Sequence, residues 1–321
     1  MRVVTKDEIL ANLDTQVALR AIESGFRAFA SGGVQVAPVV HLAFPDARGE
    51  CHVKSAYIQG EEVFTVKLAT GFYDNPAHGL ASSNGFMAVI SARTGTPVAI
   101  LQDEGVLTDM RTALAGVLAA RAGGRQGAQV LGIVGSGIQA RLQAEMIAAQ
   151  LGYTRILVWA RDAGKADAVV EDLRARLPGL SIGTAESAAR IGAQADTIVT
   201  ATSATTPLLM SNDVGPGAHI VAVGADSPGK QELDTALFAR ARHVIVDSTA
   251  QCVEHGETAN AIAAGTIAAD DLVTLGDVLA GRGLDRGDED ITIADLTGVA
   301  LQDAAIAGCV WHQLTLSPSA A

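Results

Sequence analysis

Three ionisable side chains stand where a charge needs a reason. Lys67 interrupts the strand-like run Val63-Phe-Thr-Val-Lys-Leu-Ala69, and period-two alternation puts it on a face shared with Val63, Thr65 and Ala69. An ammonium on so uncharged a face calls for an anion, unless the stem simply carries it out to solvent. Arg111 follows Thr108, whose hydroxyl can cap a helix, so the guanidinium is expected in the first helical turn, opposing the macrodipole. A bound carboxylate would remove that conflict, and the guanidinium fork suits one; the alternative is an ion pair with Asp103, Glu104 or Asp109. Asp226 follows the apolar strand His219-Ile-Val-Ala-Val-Gly224 and lies in Gly-Ala-Asp-Ser-Pro-Gly-Lys230. It could hold or deprotonate an amine there, or serve only as a turn former. Two cations that call for an anion and one carboxylate that could take an amine make these three the first candidate site residues. Lys54, on the more polar preceding strand, is a further candidate.

The stretch Ala128-Gln-Val-Leu-Gly-Ile-Val-Gly-Ser-Gly-Ile-Gln-Ala140 supplies a second kind of chemistry. An apolar strand ends in Gly135-x-Gly137-x-x-Ala140: Gly135 for the sharp turn, Gly137 for close phosphate approach, Ala140 for helix packing. The helix opening at Ile138 and Gln139 would then aim its N–H groups at a pyrophosphate. A second strand, Arg155–Trp159, follows at βαβ spacing, and the acidic ribose ligand is expected about 20 residues past the glycines. That place holds Ala160 and Arg161, with Asp162 one step late, which favours NADP over NAD; the alternative is a solvated turn. Val223, Thr202-Ser203 and Thr297-Gly298 fall at the ends of later strands, where they could line a nicotinamide or act as helix caps.

The elements that must position these residues fall into two textures. Caps at Thr5-Lys-Asp-Glu and Asn12-Leu-Asp14 lead into a periodic helix over Thr15–Ala30. Short β-like runs follow (Val36–Phe44, Cys51–Ile58, Val63–Thr70, Gly85–Ser91, Pro97–Leu101), predicting an antiparallel sheet. An alanine-rich helix over Thr108–Gly123 and the joint Gly123-Gly-Arg-Gln-Gly127 lead to alternating strands and helices, which imply a mostly parallel sheet covered on both faces. The fold class is therefore α/β: a doubly wound Rossmann domain over 123–298, with an α+β domain built on an antiparallel sheet over 1–122. The last helix, from about Val299 to Gln313, is expected to return to that first domain, adding 299–321 to it.

With 321 residues, 49% of them hydrophobic, the chain can bury two cores. A net charge of −12 argues against nucleic acid or an anionic membrane surface as partner. No apolar run reaches the roughly 20 residues a bilayer requires, and the N-terminus carries no signal-peptide core, so a cytoplasmic protein is expected. Cys51, Cys252 and Cys309 match no ligand spacing, and His41, His52, His78, His219, His243, His255 and His312 form no His-x-x-x-His pattern, so no metal is assigned. A hydrolase is not supported, since the Gly-x-Ser-x-Gly elbow is missing.

Across nearly its full length the chain resembles the ornithine cyclodeaminase/μ-crystallin family. The resemblance rests on Thr65-Val-Lys67 with Asn75, Ala92-Arg-Thr-Gly95, Leu107-Thr-Asp-Met-Arg-Thr112, Gly132 to Ala140, Gly224-Ala-Asp-Ser-Pro-Gly-Lys-Gln-Glu-Leu233, Gly256-Glu257 and Gln302-Asp303. It implies a homodimer in which the domain over 1–122 is the substrate and dimerisation domain and the Rossmann domain holds NAD(H) or NADP(H), with Lys67 and Arg111 around an amino-acid carboxylate and Asp226 at the amine. The implied chemistry is hydride exchange at an amino-acid Cα. A dehydrogenase or imine reductase stops at that exchange, a cyclodeaminase continues through ammonia release, and a non-catalytic NADP or small-ligand binding protein is a third reading. Lys54 stands where ornithine cyclodeaminases carry an acid near the substrate, and His41 stands close to a frequent arginine, so both join the substrate candidates. The lysine favours an extra carboxylate over a diamine, as in iminosuccinate-reductase-like branches.

Overall fold

A computed structural model describes residues 1–316; residues 317–321, assigned above to the first domain, lie outside the described residues. The chain divides into two compact units, Met1–Arg111 with the C-terminal segment from Ala300, and Thr112–Val299. The division falls inside the helix Val106–Gly123, before the glycine-rich joint.

The first unit runs β1 (Arg2–Thr5), α1 (Lys6–Asn12), α2 (Thr15–Ala30), β2 (Val34–Val36), β3 (Val40–Phe44), β4 (Gly49–Ile58), β5 (Val63–Phe72), β6 (Ser83–Ser91), β7 (Pro97–Gln102) and the start of α3 (Val106–Gly123). Its sheet has the order β1-β7-β6-β5-β4-β2, with β3 also paired to β4. Every pair is antiparallel except β1 with β7, so the expected antiparallel sheet carries one parallel edge. That strand is only four residues long, and the sequence marks only its last residue, Thr5, which caps α1 as expected. The run Val36–Phe44 is broken into β2 and β3 around Pro38, which has no N–H to give a ladder.

Alternation along β5 is strict at its start: Val63, Thr65 and Lys67 are buried and their neighbours half-buried. Asp14 caps α2 by accepting from the Gln16 and Val17 N–H groups, and Ala18, Leu19, Ile22, Gly25 and Phe26 form its buried face. On the same unit lies α10, the last helix (described below), and a Cβ at Gly25 would come within 3.2 Å of Leu301 Cδ1. Ala56 packs with Ala300 and Ala304 in one small-residue cluster. Small side chains let this helix lie close to the sheet, where a short side chain such as Asp303 can reach β5.

The second unit continues β8 (Val130–Val134), α4 (Ile138–Leu151), β9 (Arg155–Trp159), α5 (Ala163–Arg176), β10 (Ser181–Thr184), α6 (Ala188–Gln194), β11 (Thr197–Thr200), β12 (Thr205–Leu209), β13 (His219–Ala222), β14 (Gln231–Leu233), β15 (Ala241–Val246), α7 (Thr249–Cys252), α8 (Glu257–Ala263), β16 (Leu272–Thr274), α9 (Leu275–Leu279) and β17 (Ile291–Asp295). The chain then re-enters the first unit as α10 (Ala300–Leu316). The main sheet is parallel throughout, in the order β10-β9-β8-β11-β13-β17-β15-β16. Strand order reverses between β8 and β11, the switch point where doubly wound sheets bind ligands. Strands β14 and β16, three residues each, are too short to show a period, and β12 (Thr-Thr-Pro-Leu-Leu) carries Pro207 in its middle, which argues against a strand, so the sequence does not show them.

Candidate functional site

In the first unit the two sequence-named cations meet on one carboxylate. Lys67, 3% exposed on β5, has its Nζ 2.9 Å from both oxygens of Asp303 on α10. Arg111, also buried, donates through Nη1 to Gln302 Oε1 at 2.6 Å, and its Nε lies 3.1 Å from Asp303 Oδ1. That Nε–H nevertheless finds no acceptor in hydrogen-bond geometry, and neither does Gln302 Nε2. The two orphaned donors are buried, and such groups are rarely left unmet without a ligand or water to complete them.

The balance of charge points the same way. Burial pushes the Lys67 ammonium down from 10.5 to about 7; Asp303 opposes the shift, while Arg111 and Lys54 add to it. Burial works against ionisation of Asp303, but Lys67 and Arg111 outweigh it and hold the carboxyl below its ordinary value. Lys54 sits directly across the β4–β5 pair from Lys67. The nearby Asp103 is raised by burial to about 6 and is committed to α3, accepting from the Leu107 N–H at 2.9 Å. Asp303 is thus the carboxylate in contact with both buried cations; Asp103 adds a negative charge that Lys67 feels but spends its bonds on α3, and a substrate anion in contact with the two cations would relieve the repulsion left between them.

Arg111 reaches this position by a different route from the one expected. Helix α3 starts at Val106, after Glu104 and Gly105 turn the chain through positive φ values of 52° and 86°, and Asp103 caps it. Thr108 thus lies inside the first turn, and Arg111 falls in the second. Its partner is Asp303, on a distant segment, in place of the neighbouring acids Asp103, Glu104 and Asp109.

The same face of the sheet carries a cluster that the sequence did not show. His41 on β3 pairs across the ladder with His52 on β4, and Glu50 lies two residues before His52. His41 therefore sits with Glu50 and His52, its Nε2 3.8 Å from Glu50 Oε2.

In the second unit the glycine turn joins β8 to α4. Gly135 has φ 140° and its absent Cβ would lie 2.5 Å from the Ala201 carbonyl oxygen, so only glycine fits. A Cβ on Gly137 would meet nothing within 4 Å, and Gly137 caps α4 without any side-chain hydrogen bond. An open cradle at an uncapped helix N-terminus suits the pyrophosphate of a dinucleotide. Ile138 is 54% exposed beside it, Gln139 is half-buried, and Ala140 is fully buried against the sheet. At the end of β9, Ala160 is half-buried and Arg161 exposed, while Asp162 caps α5 by accepting from the Lys165 N–H.

Loops at the carboxyl ends of the neighbouring strands are fastened by buried acids that sequence reasoning missed. Glu232 accepts from the Thr202 N–H and hydroxyl at 2.6 and 2.7 Å and from the Gly224 N–H. Asp247 accepts from the Thr297 hydroxyl and the Gly298 N–H. Glu257 accepts from the Glu232 and Leu233 N–H groups, and Asp295 from that of Thr258. Burial raises Glu232 and Asp295 to about 7 and Glu257 to about 9. Val223 is buried at the end of β13, and Ser203 is exposed. Asp226, in the loop after β13, is exposed and pairs with Lys230 Nζ at 2.5 Å, with the Ser227 hydroxyl donating to the same oxygen. Glu232 and Glu257 fall inside motifs that carry the resemblance but were given no role there, and no signal marks Asp247, whose partners are a hydroxyl and a backbone N–H about 50 residues further along.

An uncapped, glycine-opened helix at the switch point of a parallel sheet defines a Rossmann-type dinucleotide-binding α/β protein. Comparison with known proteins fixes the kinship. The chain belongs to the ornithine cyclodeaminase/mu-crystallin family, whose model matches residues 1–317. It is 42% identical over 312 residues to an uncharacterized cyclodeaminase of Sinorhizobium fredii, covering 96% of this chain and 94% of the relative. Iminosuccinate reductase of Paracoccus denitrificans, solved in complex with NAD+, is 36% identical with a TM-score of 0.90, covering 98% of this chain and 96% of the other. An archaeal alanine dehydrogenase dimer with bound NAD is 30% identical with a TM-score of 0.90, at 98% and 96% coverage. Family relatives are thus dehydrogenases, reductases and cyclodeaminases. No described helix is long and apolar enough to cross a membrane.

Proposed function

We propose that this protein is an NAD(P)-dependent oxidoreductase that exchanges hydride at the Cα of a small amino acid or its imine. The observation that carries the reading is the pair of buried cations on Asp303, with two orphaned donors beside them. In this reading Lys67 and Arg111 seat the substrate α-carboxylate, with Gln302 offering its amide N–H. Asp303 holds both cations in place, and Asp226 serves the amine, orienting it and carrying its proton. Lys54, two strand positions from His52, favours a substrate with a second carboxylate. The dinucleotide supplies the hydride acceptor or donor when bound; Gly135, Gly137, Ile138 and Gln139 hold its pyrophosphate, and Val223, Thr202, Ser203, Thr297 and Gly298 belong to its nicotinamide end. Arg161, with no acid beside it free of capping duty, favours NADP(H) over NAD(H).

A homodimer belongs to the same reading. Val40, Leu42 and Phe44 on β3 are each more than two-fifths exposed, and one face of that strand presents all three. Apolar exposure of this kind marks an association surface, and light scattering on the purified protein should return twice the chain mass. We place the enzyme in the cytoplasm on the composition of the chain.

The test of the activity is a screen at 340 nm of amino acids, and of 2-oxo acids with ammonia, against NAD(H) and NADP(H). Net absorbance change that depends on Arg111 supports the reading. Ammonia release from a diamino acid with no net absorbance change would replace it by a redox-neutral cyclodeaminase. Cofactor binding without turnover of any substrate would replace it by a binding protein.

A further inference from the structure

Strands β3 and β4 bring together three side chains to which the proposed function gives no role, and of which the sequence offers only His41, as a substrate candidate. His41 and His52 are direct cross-strand partners, their rings stacked with centroids 4.6 Å apart. Glu50 shares their face of the sheet, since it lies two residues before His52. Both imidazoles turn Nε2 toward the same oxygen, Glu50 Oε2, at 3.4 Å from His52 and 3.8 Å from His41. The three atoms lie within 4.8 Å of one another.

At 3.4 Å the His52–Glu50 contact is a hydrogen bond at the long end of the range, and at 3.8 Å the His41–Glu50 contact lies beyond it. Both separations are close to the edges of a coordination polyhedron: metal–ligand bonds of about 2.1 Å at tetrahedral angles place ligand atoms roughly 3.4 Å apart. The other carboxylate oxygen is already held, because the Tyr73 hydroxyl donates to Glu50 Oε1 at 2.6 Å. A carboxylate fixed through one oxygen and presenting the other is how ligating acids are commonly oriented. His41 is half-exposed, so its ring can rotate to close the longest edge.

We propose that His41, Glu50 and His52 form a site for a divalent first-row transition ion, bound by two imidazole Nε2 atoms and one carboxylate oxygen. Nitrogen and oxygen donors without thiolate suit zinc, cobalt or iron in their divalent states. Three protein ligands leave at least one position for water or an oxygen-bearing ligand. Lys54 stands two residues beyond His52 on the same face, and the Glu50 charge offsets its repulsion of the ion. Bound metal ties β3 to β4 and so stiffens the exposed hairpin between them. The site stands apart from the assignment of Lys67 and Arg111, and either can fail without the other.

The experiment uses the full-length protein, stripped with a chelator and dialysed, and titrated with Co2+ while the visible d–d bands are recorded. One equivalent per chain should saturate the bands, Zn2+ should displace the cobalt, and Zn2+ should raise the melting temperature of the wild type. His52→Ala and Glu50→Gln should each weaken cobalt binding by about tenfold or more, and their metal-free melting temperatures should match that of the wild type. Tyr73→Phe should weaken it less. Bands that never saturate at millimolar cobalt overturn the site, and so do bands of wild-type affinity in both His41→Ala and His52→Ala.

Discussion

Each unit of this protein buries charge, and the two do so in opposite ways. In the second unit Glu232, Asp247, Glu257 and Asp295 direct their oxygens at backbone N–H groups and hydroxyls of the loops around them. In the first unit Lys67 and Arg111 share one carboxylate, and Arg111 Nε and Gln302 Nε2 remain without acceptors. Acids completed by main-chain donors are fasteners, built to hold loops. Donors left incomplete beside two buried cations are arranged for something that arrives. Loss of a fastener should therefore read out as stability, and loss of a seat cation as function.

The largest effect should come from Arg111→Ala. Truncating one partner of a buried, hydrogen-bonded charge pair costs binding about 2–5 kcal/mol, so kcat/KM should fall by roughly 10^2 to 10^3, mainly through KM for the carboxylate substrate. Lys67→Met should lower kcat/KM by about 10^2 and yet leave the melting temperature unchanged or higher, because Arg111 and Asp303 then balance one to one. A Lys67→Met protein that unfolds at wild-type activity would reverse the comparison. Glu257→Ala should do the opposite of Lys67→Met. It orphans two buried backbone N–H groups, costing about 2–4 kcal/mol in chemical denaturation, with KM for the carboxylate substrate little changed. Smallest of all, Arg161→Ala should weaken NADPH by about tenfold or less and leave NADH unaffected, as fluorescence titration would show.

Much of this contrast was written in the sequence, and the rest was out of its reach for physical reasons. Strand alternation put Lys67 on one face of β5 with Val63 and Thr65, leaving burial or escape to solvent open, and that face is buried; the glycine spacing located the turn from β8 into α4. The anion that meets Lys67 could not be read, because Asp303 is 236 residues further along the chain and is brought in only by the packing of α10. Arg111 was put one turn too early, because a positive φ at the non-glycine Glu104 starts α3 sooner than Thr108 suggests. The four fastening acids carry no periodic signal, since their partners are backbone amides of loops. The His41–Glu50–His52 cluster depends on a strand register that no spacing along one strand reveals.

The central claim is that Lys67 must carry its charge to seat a carboxylate, and its position near neutrality makes the claim measurable. Burial depresses the folded-state value to about 7, so the seat is fully charged below that pH and loses its charge as pH rises through it. The measurement is kcat/KM against pH from about 6 to about 9 for wild type and for Lys67→Arg, whose guanidinium stays protonated throughout. The ratio of wild type to Lys67→Arg is predicted to be constant on the acid side and to fall about tenfold per pH unit above about 7. A ratio that stays constant over the whole range would contradict the account.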